Sequence, residues 1–484
     1  ATDGLQMPHR SRDVEDILSE YQVWSKGNLR VRFIDPGDDE EEKRRLMFEG
    51  VMPVNLQTVD RHKLEVMEAY FGMVVSYEDR KEVIPFVQPE TLEYDLSSAI
   101  KKVSLPKPPT VAILTNNEDL NLEQDCRGLL MSLQKLYQVQ PLTLSPGQKI
   151  PETIEVLVIA DPKDFKESEL FEIDQFVMRG GRLICLVDAV EIDDGTLQAT
   201  IKKPNITRIL DRYGMELGDD LIQDFASNAV ASFSTGYMRT MVNYPFWVNL
   251  QDGLSKDSPI TKKLGGLVLP WAGSVKVAEN PPENVKFTIL AQTTKNAYQS
   301  KEPFDLNPFK QSSKISREDL AAYDMILLAE GEFPSAFKGE PIPVAEVENN
   351  PENPAGPSGG TTEQDRKDKG APTSILLVAN SRFIRDRSIG STGAETNLIF
   401  LHNTIDCMTF GQDLISIRTR ADAQKPLDRS ITDTNKTLYK WSAILAVPIL
   451  VILAGLLSIP MRYARRRYYE SILVRRKQDV SRSG

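Results

Sequence analysis

Two carboxylates and one amide stand where apolar runs end. Asp161 closes IEVLVIAD, Asp188 closes RLICLVD and Asn380 closes SILLVAN. Parallel strands of α/β folds gather their ligand-binding residues outside the strands' carboxyl ends, so these three side chains could line one crevice. Such a set could hold a polar ligand, or serve a hydrolase through Asp161 or Asp188. The same residue types also cap strand-to-helix turns without doing chemistry. Asp161-Pro162 and Asp188-Ala189 lack the glycine-rich backbone that lets a phosphate approach a helix N-terminus. The bland role is therefore the expected one, and the crevice is a candidate only.

Other chemistry-bearing residues are sparse. The chain has no GxxxxGK[ST] loop, so ATP hydrolysis is not expected of it, and no GxGxxG, HExxH or GxSxG. His9, His62 and His402 are isolated in sequence and read as surface or packing residues. Cys126, Cys185 and Cys407 are far apart, odd in number and outside any CxxC, which suggests neither a disulfide framework nor a zinc site. Cys185 lies inside LICLV and reads as a buried thiol. No catalytic, cofactor-binding or metal-binding residue is assigned.

The elements that would position Asp161, Asp188 and Asn380 follow from periodicity. Residues 11–25 place Val14, Ile17, Leu18, Tyr21 and Trp24 at helical spacing, and Leu29 to Asp35 alternates as a strand. The acids Asp38 to Glu42 precede Lys43, Arg44 and Arg45, the charge order of a helix rather than of a calcium loop. Leu64 to Tyr77 and Lys81 to Phe86 read as a hairpin turning at Glu78-Asp79-Arg80, followed by a helix bearing Leu92, Leu96, Ala99, Ile100 and Val103. LPKPP, at 105–109, is a stiff linker that closes a small N-terminal α/β domain, 1–104.

A second α/β domain, 110–430, alternates apolar strands (110–115, 139–144, 154–161, 182–188) with helices (122–137, 165–179). This pattern predicts a parallel sheet covered on both faces. Pro141 puts 139–144 at an edge. Further buried strands are predicted at 324–331 and 374–380, a helix at 397–410 and a strand at 414–420. The stretch 348–370, poor in apolar residues, reads as a disordered loop.

Trp441 to Met461 is 21 residues without a charge, a helix of about 31 Å that can cross a bilayer. It includes Pro448, which can bend it, and Gly455, which permits close helix contact. A juxtamembrane linker, 431–440, precedes it. The tail 462–484 carries Arg462, Arg465, Arg466 and Arg467 and a net charge of +6, leaving −17 on residues 1–461. Basic flanks stay cytoplasmic, so the acidic body is expected outside the inner membrane, with anionic lipid at the tail. An acidic body also argues against nucleic acid as a partner. An outside body needs an export signal, so a segment before Ala1 is expected.

Several stretches together resemble the GldG family, the auxiliary component of gliding-motility-type ABC transporters. They are LSEYQVWSKGNLRVRFIDP (18–36), YFGMVVSYEDRKEVIPF (70–86), VMRGGRLICLVDA (177–189), NYPFWVNL (243–250), ILAQTT (289–294), NLIFLHNTIDCMTFGQDLISIR (397–418) and the closing span with its arginines. The resemblance implies two extracytoplasmic α/β domains. The second is similar to a domain of intraflagellar transport proteins and to flavodoxin-like and class I glutamine-amidotransferase-like folds. It also implies permease and ATPase partner chains and a periplasmic location. Family members usually carry another span before the first domain. An amidotransferase needs a cysteine at the turn after its strand, whereas here Cys185 is inside the strand and Asp188-Ala189 at the turn. The function expected is a non-enzymatic, membrane-anchored accessory subunit of an ABC transporter, without cofactor, contacting substrate, an envelope protein or polysaccharide. The alternatives are a free-standing receptor binding polysaccharide or peptide in the crevice, or an anchored hydrolase using Asp161 or Asp188.

Overall fold

A computed structural model describes residues 7–60, 63–87, 89–105, 107–235, 238–262, 264–309, 315–343, 361–392 and 395–410. All lie in one compact unit, Ala1–Ala423; the second unit, Gln424–Gly484, falls outside the described residues. The expected span with Trp441, Pro448, Gly455 and Met461, its arginine flank and the strand at 414–420 therefore also lie outside them. Among the described residues no helix is long and apolar enough to cross a membrane.

The N-terminal region opens with α1 (Met7–Trp24) and α2 (Glu40–Phe48). The Asp39 carboxylate accepts from the N–H groups of Glu41 and Glu42, so the acidic run caps and begins a helix. β1 (Pro53–Asp60) pairs antiparallel with β2 (Lys63–Tyr70), and β3 (Met73–Tyr77) with β4 (Arg80–Ile84). The hairpin turning at Glu78 is present, but its first arm starts at Met73, because Leu64 to Tyr70 turns back onto β1 instead. α3 (Pro89–Ser104) sets Leu92, Leu96, Ala99 and Val103 against Val75, Ile84 and Leu18. The strand expected over Leu29–Asp35 is not formed: the segment runs without turn or bend but pairs with no other strand among the described residues. Alternation specifies which side chains face inward; it cannot supply a neighbour.

Next come β5 (Thr110–Leu114), α4 (Leu122–Asp125), α5 (Arg127–Leu133), β6 (Gln138–Leu142), β7 (Ile154–Ala160), α6 (Glu167–Met178) and β8 (Arg182–Leu186). The helix expected over 122–137 is broken at Cys126. A long excursion follows: β9 (Val190–Ile192), β10 (Ala199–Ile201), α7 (Thr207–Arg212), β11 (Met215–Leu217), β12 (Leu221–Asp224), β13 (Asn228–Thr235), β14 (Met238–Asn249), β15 (Val268–Pro270) and β16 (Val275–Val277). The chain then adds β17 (Val285–Gln292), β18 (Ala297–Ser300), β19 (Asp324–Gly331), β20 (Thr373–Val378), α8 (Asp386–Thr392) and α9 (Thr396–Phe410).

The central sheet has the order β17-β19-β20-β8-β7-β5-β6. The five strands from β20 to β6 are mutually parallel, while β19 is antiparallel to both β17 and β20. The sheet is therefore mixed rather than wholly parallel. Apolar runs report burial on both faces, not strand direction. Numbered by chain order, the parallel strands stand 2-1-3-4-5, the doubly wound order whose switch point lies between β5 and β7. Alternate residues feed opposite cores. Leu157, Ile159, Leu183 and Cys185 pack with Ile173 and Val177 of α6, whereas Val158, Ile184 and Leu186 pack with Leu129, Phe400, Leu401 and Ile405.

Part of the stretch expected to be a disordered loop is packed. Thr361 donates from N, at 2.7 Å, and from Oγ1, at 2.9 Å, to buried Glu172 of α6, and Arg366 donates to the carbonyls of Phe337 and Glu340. Composition alone misread 361–370 because buried Glu172 and Gln175 on α6 take their polar partners from Thr361 and Lys367. Residues 348–360 fall outside those described.

Candidate functional site

Register builds the site. Leu186 stands opposite Ala160 on one side and Val378 on the other, so three parallel strands end along one line. Asp161, Asp188 and Asn380 follow within two residues of those ends.

Asn380 and Asp188 touch. Asn380 is fully buried; its Nδ2 donates to Pro270 O at 2.7 Å and reaches Asp188 Oδ1 at 3.4 Å, and its Oδ1 accepts from Phe383 N at 3.0 Å. Asp188 also accepts from Ser381 N, at 2.9 Å, and from Ser381 Oγ. Asp161 is held separately: its Oδ2 accepts from Asn117 Nδ2 at 2.9 Å and from Arg385 Nη2 at 2.5 Å. No hydrogen bond among the described residues joins Asp161 to the other two, but its charge reaches Asp188. Burial pushes the Asp188 carboxyl above the usual carboxylate range and the Asp161 charge pushes it further; Arg382 and the Ser381 bonds oppose both.

The segment after β20 straps this edge together. Arg382 Nη1 pairs with Asp194 at 2.5 Å, its Nη2 donates to Ile192 O at 2.7 Å, and its guanidinium lies 5.3 Å from the Trp271 ring centre. Asp386 accepts from Gly128 N at 3.1 Å, which ties α8 to the start of α5. A Cβ on Gly128 would sit 2.9 Å from that carboxylate, which would have to shift. Two non-glycine residues at this end hold left-handed backbone: Asp161 at φ 48° and Trp271 at φ 54°. Such conformations cost roughly 1–3 kcal/mol each and persist where surrounding structure enforces them, often around ligand sites.

Sequence reasoning missed Asn117, Arg382, Arg385 and Trp271. SRFIRDRS, placed directly after an apolar strand, carried a signal for the two arginines. Trp271 carried none, since β15 brings it there from a long excursion. The other candidate residues are structural in their surroundings. Cys185 is fully buried in β8 and burial raises its thiol far above normal; burial pushes Cys126 up to about 12 against the pull of Arg385. Neither is a poised nucleophile. His402 of α9 has its Nε2 2.5 Å from Ser132 Oγ of α5, His9 is in α1, and His62 lies outside the described residues. Among the described residues no group of His, Cys, Asp and Glu could hold a metal ion. One cavity of about 330 Å³ is lined by Phe225, Ala226, Asn296, Ile315 and Leu320, and none of the three candidate residues lines it.

Residues 4–76 match the model of a domain of unknown function. An uncharacterized protein of Borreliella burgdorferi is 23% identical over 303 residues, covering 60% of this chain; the chain spans 59% of that relative. Among solved structures, the mmIFT52 N-terminal domain is similar at a TM-score of 0.36 and 11% identity, over 62% of this chain and 98% of that one. A ThuA-like protein from Bacteroides uniformis scores 0.32 at 10% identity, over 62% and 91%. At these scores the structural likenesses carry no argument about this chain. Residues 108–412, more than half of the chain and including the whole central sheet, match the family model described as an ABC-type uncharacterized transport system, and the protein belongs to that family of auxiliary ABC transport components.

Proposed function

We propose that the protein is a non-catalytic, membrane-anchored accessory subunit of an ABC transporter, of the gliding-motility-associated GldG type. The family match over 108–412 carries this reading, and the charge-free stretch Trp441 to Met461 with its arginine flank supports the anchor. In this reading residues 1–104 form a small α/β domain, 105–109 a linker, 110–430 the larger domain and 431–440 a juxtamembrane connection. The body stands in the periplasm, the helix 441–461 crosses the inner membrane beside a permease, and the tail 462–484 meets cytoplasmic lipid. ATP hydrolysis and the translocation path belong to separate ATPase and permease chains.

The test is purification in mild detergent through a tag placed after Gly484, with mass spectrometry of what accompanies the chain. Co-purification of a P-loop ATPase and a polytopic permease is the expected result. Recovery of the chain alone, from a preparation in which other membrane complexes survive, would sink the reading.

A second reading, a free-standing receptor for polysaccharide or peptide, is favoured by the left-handed backbone at Asp161 and the Trp271 ring at the same edge. Titration of the purified protein with oligosaccharides, following Trp fluorescence, tests it. A saturable change lost in Trp271→Ala would favour the receptor.

A further inference from the structure

Leu29–Asp35 has the alternating sequence of a strand and runs without turn or bend, but no other strand pairs with it among the described residues. Val31 packs onto the N-terminal core, while Arg30, Arg32 and Phe33 face solvent, Phe33 with 63% of its surface exposed. Leu29 N is used by Ser25 Oγ, but the backbone N–H and C=O groups of residues 30–35 make no hydrogen bond among the described residues. This is unusual for a β-prone sequence lying on a core, because an unpaired row of backbone groups is a template for another strand. Exposed apolar side chains of the same region, Trp24 at 82% and Phe48 at 93%, add surface that a partner could cover.

We infer that Leu29–Asp35 is a docking edge that captures an extended segment of a different polypeptide by strand addition. Main-chain hydrogen bonds would supply the binding and side chains the choice of partner. The outward arginines set the chemistry. Residues two apart in one strand face residues two apart in the next, so the partner segment carries Asp or Glu at alternate positions, opposite Arg30 and Arg32. A second copy of this chain is a poor occupant. The antiparallel register that pairs the segment along its whole length sets Arg32 opposite Arg32, and the one centred on Val31 sets Arg30 opposite Arg32. Like charges directly opposed weaken a ladder.

Hydrogen exchange of the full-length protein in detergent reads the edge directly, independently of whether the chain serves a transporter. The probe is a capped peptide alternating valine and glutamate, with its lysine counterpart as control, each titrated to millimolar concentration. The glutamate peptide should slow exchange of alternate amides within 30–35 at least tenfold, the lysine peptide should not, and Arg32→Pro should abolish the effect. Charge reversal by Arg30→Glu with Arg32→Glu should exchange the two peptides' behaviour. No protection by the glutamate peptide, or equal protection by both, overturns the proposal. Protection that instead grows with protein concentration alone, with a dimer mass, would assign the edge to a second copy and overturn the occupant named here.

Discussion

The region before LPKPP and the region after it are built from the same kinds of element, yet they close their sheets differently. Residues 110–410 place seven strands in one sheet with a core on each face. Among the described residues, 7–104 form two-stranded ribbons, β1 with β2 and β3 with β4, and the β3–β4 ribbon packs in a small core with Leu18, Leu92 and Leu96. A two-stranded ribbon is marginal alone and depends on what packs against it. The difference teaches where each kind of work belongs. The large sheet buries an apolar core on each face, whereas the small region leaves Trp24, Phe33 and Phe48 exposed.

The sharpest way to break this comparison is to remove a side chain from each core. Leu183 is fully buried between β7 and β20, and Leu183→Ala should cost about 3–5 kcal/mol. Leu96→Ala, in the smaller core, should cost about 2–3 kcal/mol. It should also speed amide exchange in α3 and β3 while β7 and β8 stay protected. Urea unfolding with exchange mass spectrometry separates the two. Equal loss of protection everywhere would show one cooperative unit instead.

At the carboxyl ends of the sheet the interactions are electrostatic. Arg385 and Asp161 are 23% and 17% exposed, so their ion pair is neither fully buried nor fully screened. Arg385→Met should cost about 1–3 kcal/mol by leaving the Asp161 carboxylate without its guanidinium. Adding Asp161→Asn should recover most of that loss, because the amide has no charge to strand. Thermal unfolding of the single and double variants measures the coupling. Gly128→Ala should cost about 1–2 kcal/mol, since a Cβ would push the Asp386 carboxylate away from the Gly128 N–H that it accepts from. A combined loss well below the sum for Gly128→Ala and Arg385→Met would show that the strap 381–392 releases as one piece.

Asp188 gives a smaller effect with a defined sign. Its carboxyl is raised in the folded protein, so the native state holds the proton more tightly than the unfolded chain does. Stability is therefore greatest below the unfolded carboxylate range, and part of it is lost as pH rises through that range to the raised folded value. Asp188→Asn can still accept from Ser381 N, and it should remove this fall. Melting temperature followed from pH 4 to pH 8 should decline less in the variant than in the parent.

Much of the larger region was legible because burial leaves a mark on every residue of a central strand. IEVLVIAD and RLICLVD are strands at their expected places, and Pro141 sits in the edge strand β6. The antiparallel direction of β19 left no mark, since direction depends on connections and not on the strand's own residues. The site was half legible. Asp161, Asp188 and Asn380 could be found because each ends a strand. Trp271 could not, because it follows β15, a strand of three residues at the end of a long excursion. Leu29–Asp35 failed in an instructive way: Val31 packs on the core but Phe33, two residues on, is exposed, and the missing partner strand is information that no single chain's periodicity contains.

That segment supplies the last and smallest prediction. Phe33→Ser removes an aromatic side chain from a position that is 63% exposed and whose backbone makes no hydrogen bond among the described residues. Its effect on the stability of the isolated protein should stay within about 0.5 kcal/mol, as for surface substitutions away from structural features. Val31→Ser, two residues earlier but packed on the N-terminal core, should cost clearly more. The contrast matters because both residues belong to one alternating stretch. If the two variants are equally harmless, Val31 does not anchor the segment, and the docking edge has no fixed geometry to offer. If both are harmful, Phe33 already has a partner within the chain, and the comparison between an open small region and a closed large one fails. Only a cost at Val31 with none at Phe33 leaves the edge anchored on one side and open on the other.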